Sequence, residues 1–210
     1  MTVPSSTDAL AAPSASPPKL WAFSELGLNV FHGHAETPRL FHYFLPGLVR
    51  QGKKILCLDG ANRFDPLLIA RFARRTKSLP FHQQVRVARA FTCFQLTELL
   101  VRAPRLLRDF SAEALIVTAL PDLYFDEDVR EAEAAASFRQ ALAALRALEP
   151  LRVAVAVFSG AESFHTSRGK FFQQLKAQAN HVWKFAENEE GKLSLNSEKS
   201  TASSKPRVLP

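Results

Sequence analysis

The turn Gly33-His34-Ala35-Glu36-Thr37-Pro38-Arg39-Leu40 joins a strand-length apolar run to a helical one, which is where a phosphate-binding loop would lie. Such a loop needs small residues whose backbone N–H groups converge, a lysine for the terminal phosphates and a hydroxyl for a magnesium ion. This one offers a single glycine, Gly33, an acidic Glu36, and Pro38, which removes a donor. Arg39 keeps a positive charge at the lysine position, and Leu40 has no hydroxyl. The other strand ends lack the same chemistry. Thr118 stands where a metal-organising acid would end the run from Ala114, and Ser159-Gly160 closes the next run without an amide to sense a phosphate. Asp122, just past Pro121, reads as a turn or cap residue. His32, His34 and Glu36 alternate and could share a metal, with His42 nearby, but an i, i+2 pair without a clear third ligand is a weak signal. The expectation is no metal and no cofactor.

The elements that position these residues alternate. Strand-length apolar runs lie at 28–31, 54–59, 85–91, 114–120, 151–158 and 180–186, and helical segments separate most of them. From Pro38 to Gln51 apolar residues recur every three to four positions, predicting one helix with Thr37 as its cap. Asp65-Pro66 starts a second, Thr92 with Gln95 forms a capping box before a third that Pro104 should kink or split, and 129–149 is an Ala-rich helix. The pattern predicts an α/β domain with a mostly parallel sheet flanked by helices. A hairpin around Glu189-Glu190-Gly191 should close its edge. Residues 1–18 read as a disordered leader, 19–196 as the domain and 197–210 as a flexible basic tail.

The chain of 210 residues carries 27 Lys and Arg against 20 Asp and Glu, and its pI near 9.7 permits an acidic partner without requiring one. Arg71, Arg74 and Arg75, and Arg102, Arg105 and Arg108, read as solvated helix faces. Cys57 and Cys93 sit in apolar runs and read as core residues of a reduced, cytoplasmic protein, with no membrane span.

Four stretches in this order resemble the RecA family, and particularly the archaeal and eukaryotic recombinase branch and its paralogues. They are Gly52 to Ala73, Val87 to Leu100 with its Ala88-Arg89-Ala90-Phe91 strand end, Ala114 to Asp128, and Val153 to Gly160. The resemblance implies a RecA-like P-loop NTPase fold whose catalytic Glu falls on Ala61, phosphate-loop Lys on Arg39, metal-organising Asp on Thr118 and strand-five amide on Ser159 or Gly160. It therefore implies a pseudo-ATPase with a degenerate nucleotide site (Gly33, Pro38, Arg39, Leu40, Ala61, Thr118, Ser159), acting by binding in DNA recombination or repair. The family's DNA-facing loops fall on 121–130, which is acidic, and 160–170, where Arg168 and Lys170 could meet phosphates and Phe164 or His165 could stack on a base. Ala88, Ala90 and Phe91 match its apolar socket for a neighbouring protomer's aromatic anchor. Expected partners are single-stranded DNA, or a RecA-type recombinase or other repair protein, in the cytoplasm or at the nucleoid. The alternative is an interaction module without DNA binding, similar to cell-division inhibitors or polymerase adaptors of the DNA-damage response.

Overall fold

The computed structural model describes residues 20–22, 26–75, 80–187, 193–200 and 207–209. The expected leader and the 189–191 turn lie outside them. In chain order the elements are β1 (Leu20–Ala22), β2 (Gly27–His32), α1 (Leu45–Arg50), β3 (Ile55–Asp59), α2 (Pro66–Arg75), α3 (Phe81–Gln84), β4 (Val85–Arg89), α4 (Cys93–Phe110), β5 (Ala114–Thr118), α5 (Glu131–Arg146), β6 (Ala154–Phe158), α6 (Lys170–Gln178), β7 (His181–Glu187), β8 (Leu193–Ser200) and β9 (Arg207–Leu209). Seven strands form one sheet in the order β4-β3-β5-β6-β2-β7-β8, parallel except for β8, which runs antiparallel to β7. β1 and β9 pair separately.

Burial on both faces explains why the central strands read as unbroken apolar runs. Ile55 and Cys57 of β3 pack with Phe44, Leu45, Leu48 and Phe72 on one face, while Leu56 and Leu58 pack with Leu96, Leu100, Phe138 and Leu175 on the other. Stepping from β2 to β3 to β4 takes the chain along the sheet with α1 to α3 on the first face. Stepping back through β5, β6 and β7 puts α4 to α6 on the second, as right-handed crossovers require. Among the described residues no helix is long and apolar enough to cross a membrane.

Several expectations need correction. The segment after β2 is not one α-helix but a 3-10 helix, Thr37–Tyr43, followed by the short α1. Pro46 has no N–H for the carbonyl of His42, and its ring crowds that carbonyl, so a continuous helix is broken there. Thr37 does not cap; its Oγ1 turns back to accept from His34 N at 3.1 Å. Pro104 does not split α4, which runs through it for 18 residues because Leu107 and Phe110 beyond it are buried. β8 extends to Ser200 and β9 lies further on, so the chain beyond 196 is not wholly a flexible tail. The caps at Asp65 and Thr92 do form: Asp65 accepts from Leu67 N and Leu68 N, Thr92 from Gln95 N, and Gln95 from Phe91 N. Cys57 and Cys93 are free and buried, and burial pushes both thiols up and away from reactivity.

Candidate functional site

The strand ends of an open α/β sheet are where a ligand would collect. At the end of β2, Gly33 has a φ of 144°, and a Cβ there would collide with the carbonyl oxygen of Phe185 in β7. Glycine is needed for that close approach and that backbone, whatever the turn binds. Four of the turn's backbone donors are taken within it. His34 N donates to Thr37 Oγ1, Glu36 N to His34 Nδ1 at 3.2 Å, Thr37 N to His34 O and Arg39 N to Glu36 O. Arg39 reaches Glu36 at 3.8 Å, both exposed, and Leu40 is buried. Pro38 is also buried, so residues 37–40 face the core more than a ligand.

At the neighbouring strand ends polar groups bond to one another. Asp59, fully buried at the end of β3, accepts from Arg63 N at 3.1 Å, Phe64 N at 2.9 Å and Thr118 Oγ1 at 3.0 Å, and Arg89 Nε lies 3.7 Å away. Thr118 Oγ1 in turn accepts from Ala61 N at 3.0 Å. Thus two expected site residues, Ala61 and Thr118, are brought together around Asp59, which reading strand ends for catalytic acids did not single out. Ser159 Oγ donates to Asp122 at 2.6 Å, and Gly160 N donates to the other oxygen at 2.7 Å. Burial raises the Asp122 carboxyl to about 6 against the opposing pull of the Ser159 and Gly160 hydrogen bonds. Asp122 is therefore more than a local turn residue: a carboxylate of the protein takes the donors that an external anion would use.

His42 fixes the far side of the β2 turn. Its Nε2 accepts from Asp65 N at 2.9 Å, so Nδ1 carries the proton and donates to Arg39 O at 2.8 Å, a neutral ring. Burial lowers its pKa from the ordinary histidine value, against the Arg39 carbonyl bond and the carboxylates of Asp65 and Asp59, which raise it, with the Arg39 charge adding to the lowering. A depressed histidine binds fewer protons folded than unfolded, so its stabilisation is complete above about pH 6.5 and falls by up to about 1.4 kcal/mol per pH unit as the pH drops toward the folded value. Asp122, raised, acts in the opposite sense between about pH 4 and 6. The stability difference between wild type and His42→Asn isolates the histidine: urea unfolding at pH 7.5 and 5.5 should show that difference shrinking at the lower pH.

In the 160–170 loop the expected DNA-facing set divides. Arg168 is buried, and its guanidinium donates to three backbone carbonyls of the loop before α5: Tyr124 at 3.0 Å, Asp126 at 2.6 Å and Val129 at 2.5 Å. It joins the two loops and is not placed to meet a phosphate. Lys170 pairs with Glu131 at 2.7 Å on the surface. Phe164 is half exposed with its ring against Phe125, and His165 is exposed.

The partner-binding candidates lie at the free edge. Among the described residues β4 pairs only with β3. Ala90 is buried with its N–H on Asp59 O, and Ala88 is half-buried. Phe91 is 64% exposed, and Val87 and Phe94 are exposed beside it in sequence. The Gln95 side chain holds Phe91 N, so the exposed ring stands on a fixed backbone.

The histidines do not assemble as alternation suggested. His34 serves the turn, His42 bonds Asp65, and His32 is buried between Glu162 and Glu198. Those two glutamates come from the loop after β6 and from β8, and no local spacing could have associated them with His32. No family model and no curated protein matches the chain.

Proposed function

We propose that this chain is a RecA-like, non-catalytic protein that acts by binding in DNA recombination or repair, with a RecA-type recombinase as its partner at the β4 edge. One contrast carries the reading. The polar groups at the ends of β3, β5 and β6 are bonded to each other, whereas the β4 edge presents Val87 and Phe91 to solvent. Hydrolysis needs a held metal, a cradled phosphate and a positioned water. Here Thr118 binds Ala61 and Asp59, and Asp122 takes the β6 donors, so the strand ends stabilise the fold. An open edge with the exposed Phe91 ring beside it suits addition of an extended partner segment whose own aromatic side chain packs there.

Burial of Arg168 and pairing of Lys170 weaken the DNA reading of the 160–170 loop, leaving Phe164 and His165 to support it. Single-stranded DNA is therefore the second ligand. Binding to the purified recombinase of the same host, measured by biolayer interferometry without DNA, tests the proposal. Phe91→Ala should weaken it at least about tenfold, as for an aromatic contact at the centre of an interface, and Arg71→Ala on α2 should leave it unchanged. Equal affinity of wild type and Phe91→Ala would remove the edge from the interaction. Association that appears only with DNA, and falls with salt, would transfer the function to nucleic acid.

A further inference from the structure

Five charged or titratable groups from five elements meet at the end of β2. His32, with no exposed side-chain surface, has Nδ1 3.0 Å from Glu162 Oε1 and Nε2 3.0 Å from Glu198 Oε2. Lys176 of α6 lies 2.6 Å from Glu198 Oε2, and Lys184 of β7 lies 3.1 Å from Glu162 Oε2. The contact at Nε2 is a hydrogen bond. The contact at Nδ1 is close enough but poorly aligned, so this buried nitrogen has no hydrogen-bond partner. In the tautomer that donates Nε2–H to Glu198, Nδ1 presents its lone pair to a carboxylate oxygen. Two electron-rich atoms at that distance, one of them fully buried, call for a cation between them.

The geometry points to a binding site for a divalent transition-metal ion of the zinc class, with His32 Nδ1 and Glu162 Oε1 as ligands and Glu198 orienting the ring. A separation of 3.0 Å is the bite of two adjacent ligands, each about 2.0–2.2 Å from one metal at about 90°. Glu198 on the opposite nitrogen completes the carboxylate–histidine–metal arrangement that fixes the tautomer and raises ligand basicity. Imidazole with carboxylate selects zinc, nickel or copper over magnesium. The ligand atoms of all three residues lie within 4.8 Å of one another; Glu198 stays on Nε2, and water fills the remaining metal positions on the exposed Glu162 side. The two ammonium groups oppose a cation, which makes the site weak and gives it a signature: Lys184, exposed on β7, must swing away when the metal binds.

Isothermal titration of the whole protein with zinc chloride and with magnesium chloride at pH 7.5 tests the site. Zinc should bind with one-to-one stoichiometry and magnesium should give no signal at the same concentration. Glu162→Gln should weaken zinc at least tenfold, His32→Ala should abolish the binding, and Lys184→Ala should tighten it severalfold. Should His32→Ala fail to fold, Glu162→Gln and Lys184→Ala, both on partly exposed side chains, decide the matter. Zinc affinity unchanged in both of those variants, or no stoichiometric zinc binding in the wild type, would overturn the site.

Discussion

Replacing Asp59 with Ala should destabilise the domain by about 3–5 kcal/mol, the range for removing one member of a buried hydrogen-bonded charge network. The side chain is fully buried and serves two backbone N–H groups of the turn after β3, the Thr118 hydroxyl and the Arg89 guanidinium. Its loss leaves Arg63 N and Phe64 N without their acceptor, and frees Thr118 Oγ1, which also holds Ala61 N. Asp59→Asn keeps the shape and one acceptor oxygen, so about 1–3 kcal/mol should be lost instead. Urea unfolding of the two variants checks this, and a loss below about 1 kcal/mol for Asp59→Ala would mean that the strand ends are not held by this network. The same residue occupies the end of a central strand, where a catalytic acid would be sought, and its bonds make it a support.

Arg168→Ala should cost about 2–4 kcal/mol, because three carbonyls of the loop from Tyr124 to Val129 lose their common donor inside the protein. Arg168→Lys cannot restore the fork that spans the three, and should recover less than half of the loss. The consequence for function is direct. A fall in DNA binding on mutating Arg168 would come with a fall in thermal stability, whereas a phosphate contact would change the salt slope and leave the melting temperature alone. Melting curves of Arg168→Ala and Arg168→Lys read the difference.

What the sequence revealed about the fold follows from how local each signal is. The strands of the sheet interior were legible because burial on both faces demands runs such as Ile55 to Leu58 and Ala154 to Phe158. Caps were legible because Thr92 and Gln95, or Asp65, act on backbone within four residues. The two prolines act differently: Pro46 breaks a short segment with few turns to hold it, while Pro104 sits unsplit in a long helix whose packing on both sides of it outweighs the lost bond. The end of β8 carries Asn196, Ser197, Glu198 and Lys199, with no apolar alternation, and is held by its ladder with β7 and by Glu198 on His32 and Lys176.

The site was legible as a set of places more than as a set of roles. Gly33, Ala61, Thr118 and Ser159 do stand at strand ends, and Ala61 N bonds Thr118 Oγ1, which bonds Asp59 in turn. Asp122 and Ser159 are 37 positions apart, and nothing in their spacing announces a bond. Arg168 lies in a stretch whose composition is that of an exposed basic loop; its burial is set by carbonyls more than 35 residues upstream that need a donor.

The proposal that the strand ends hold the fold together and turn over no nucleotide predicts the outcome of a magnesium-dependent ATP hydrolysis assay with purified protein, beside the Arg39→Lys variant. Both should remain at the rate of a protein-free control, because restoring one cation leaves Leu40, Ala61, Thr118 and Ser159 unchanged. Turnover above that control that disappears on mutating Arg39 to Ala would make the β2 turn a working phosphate site and the chain an ATPase.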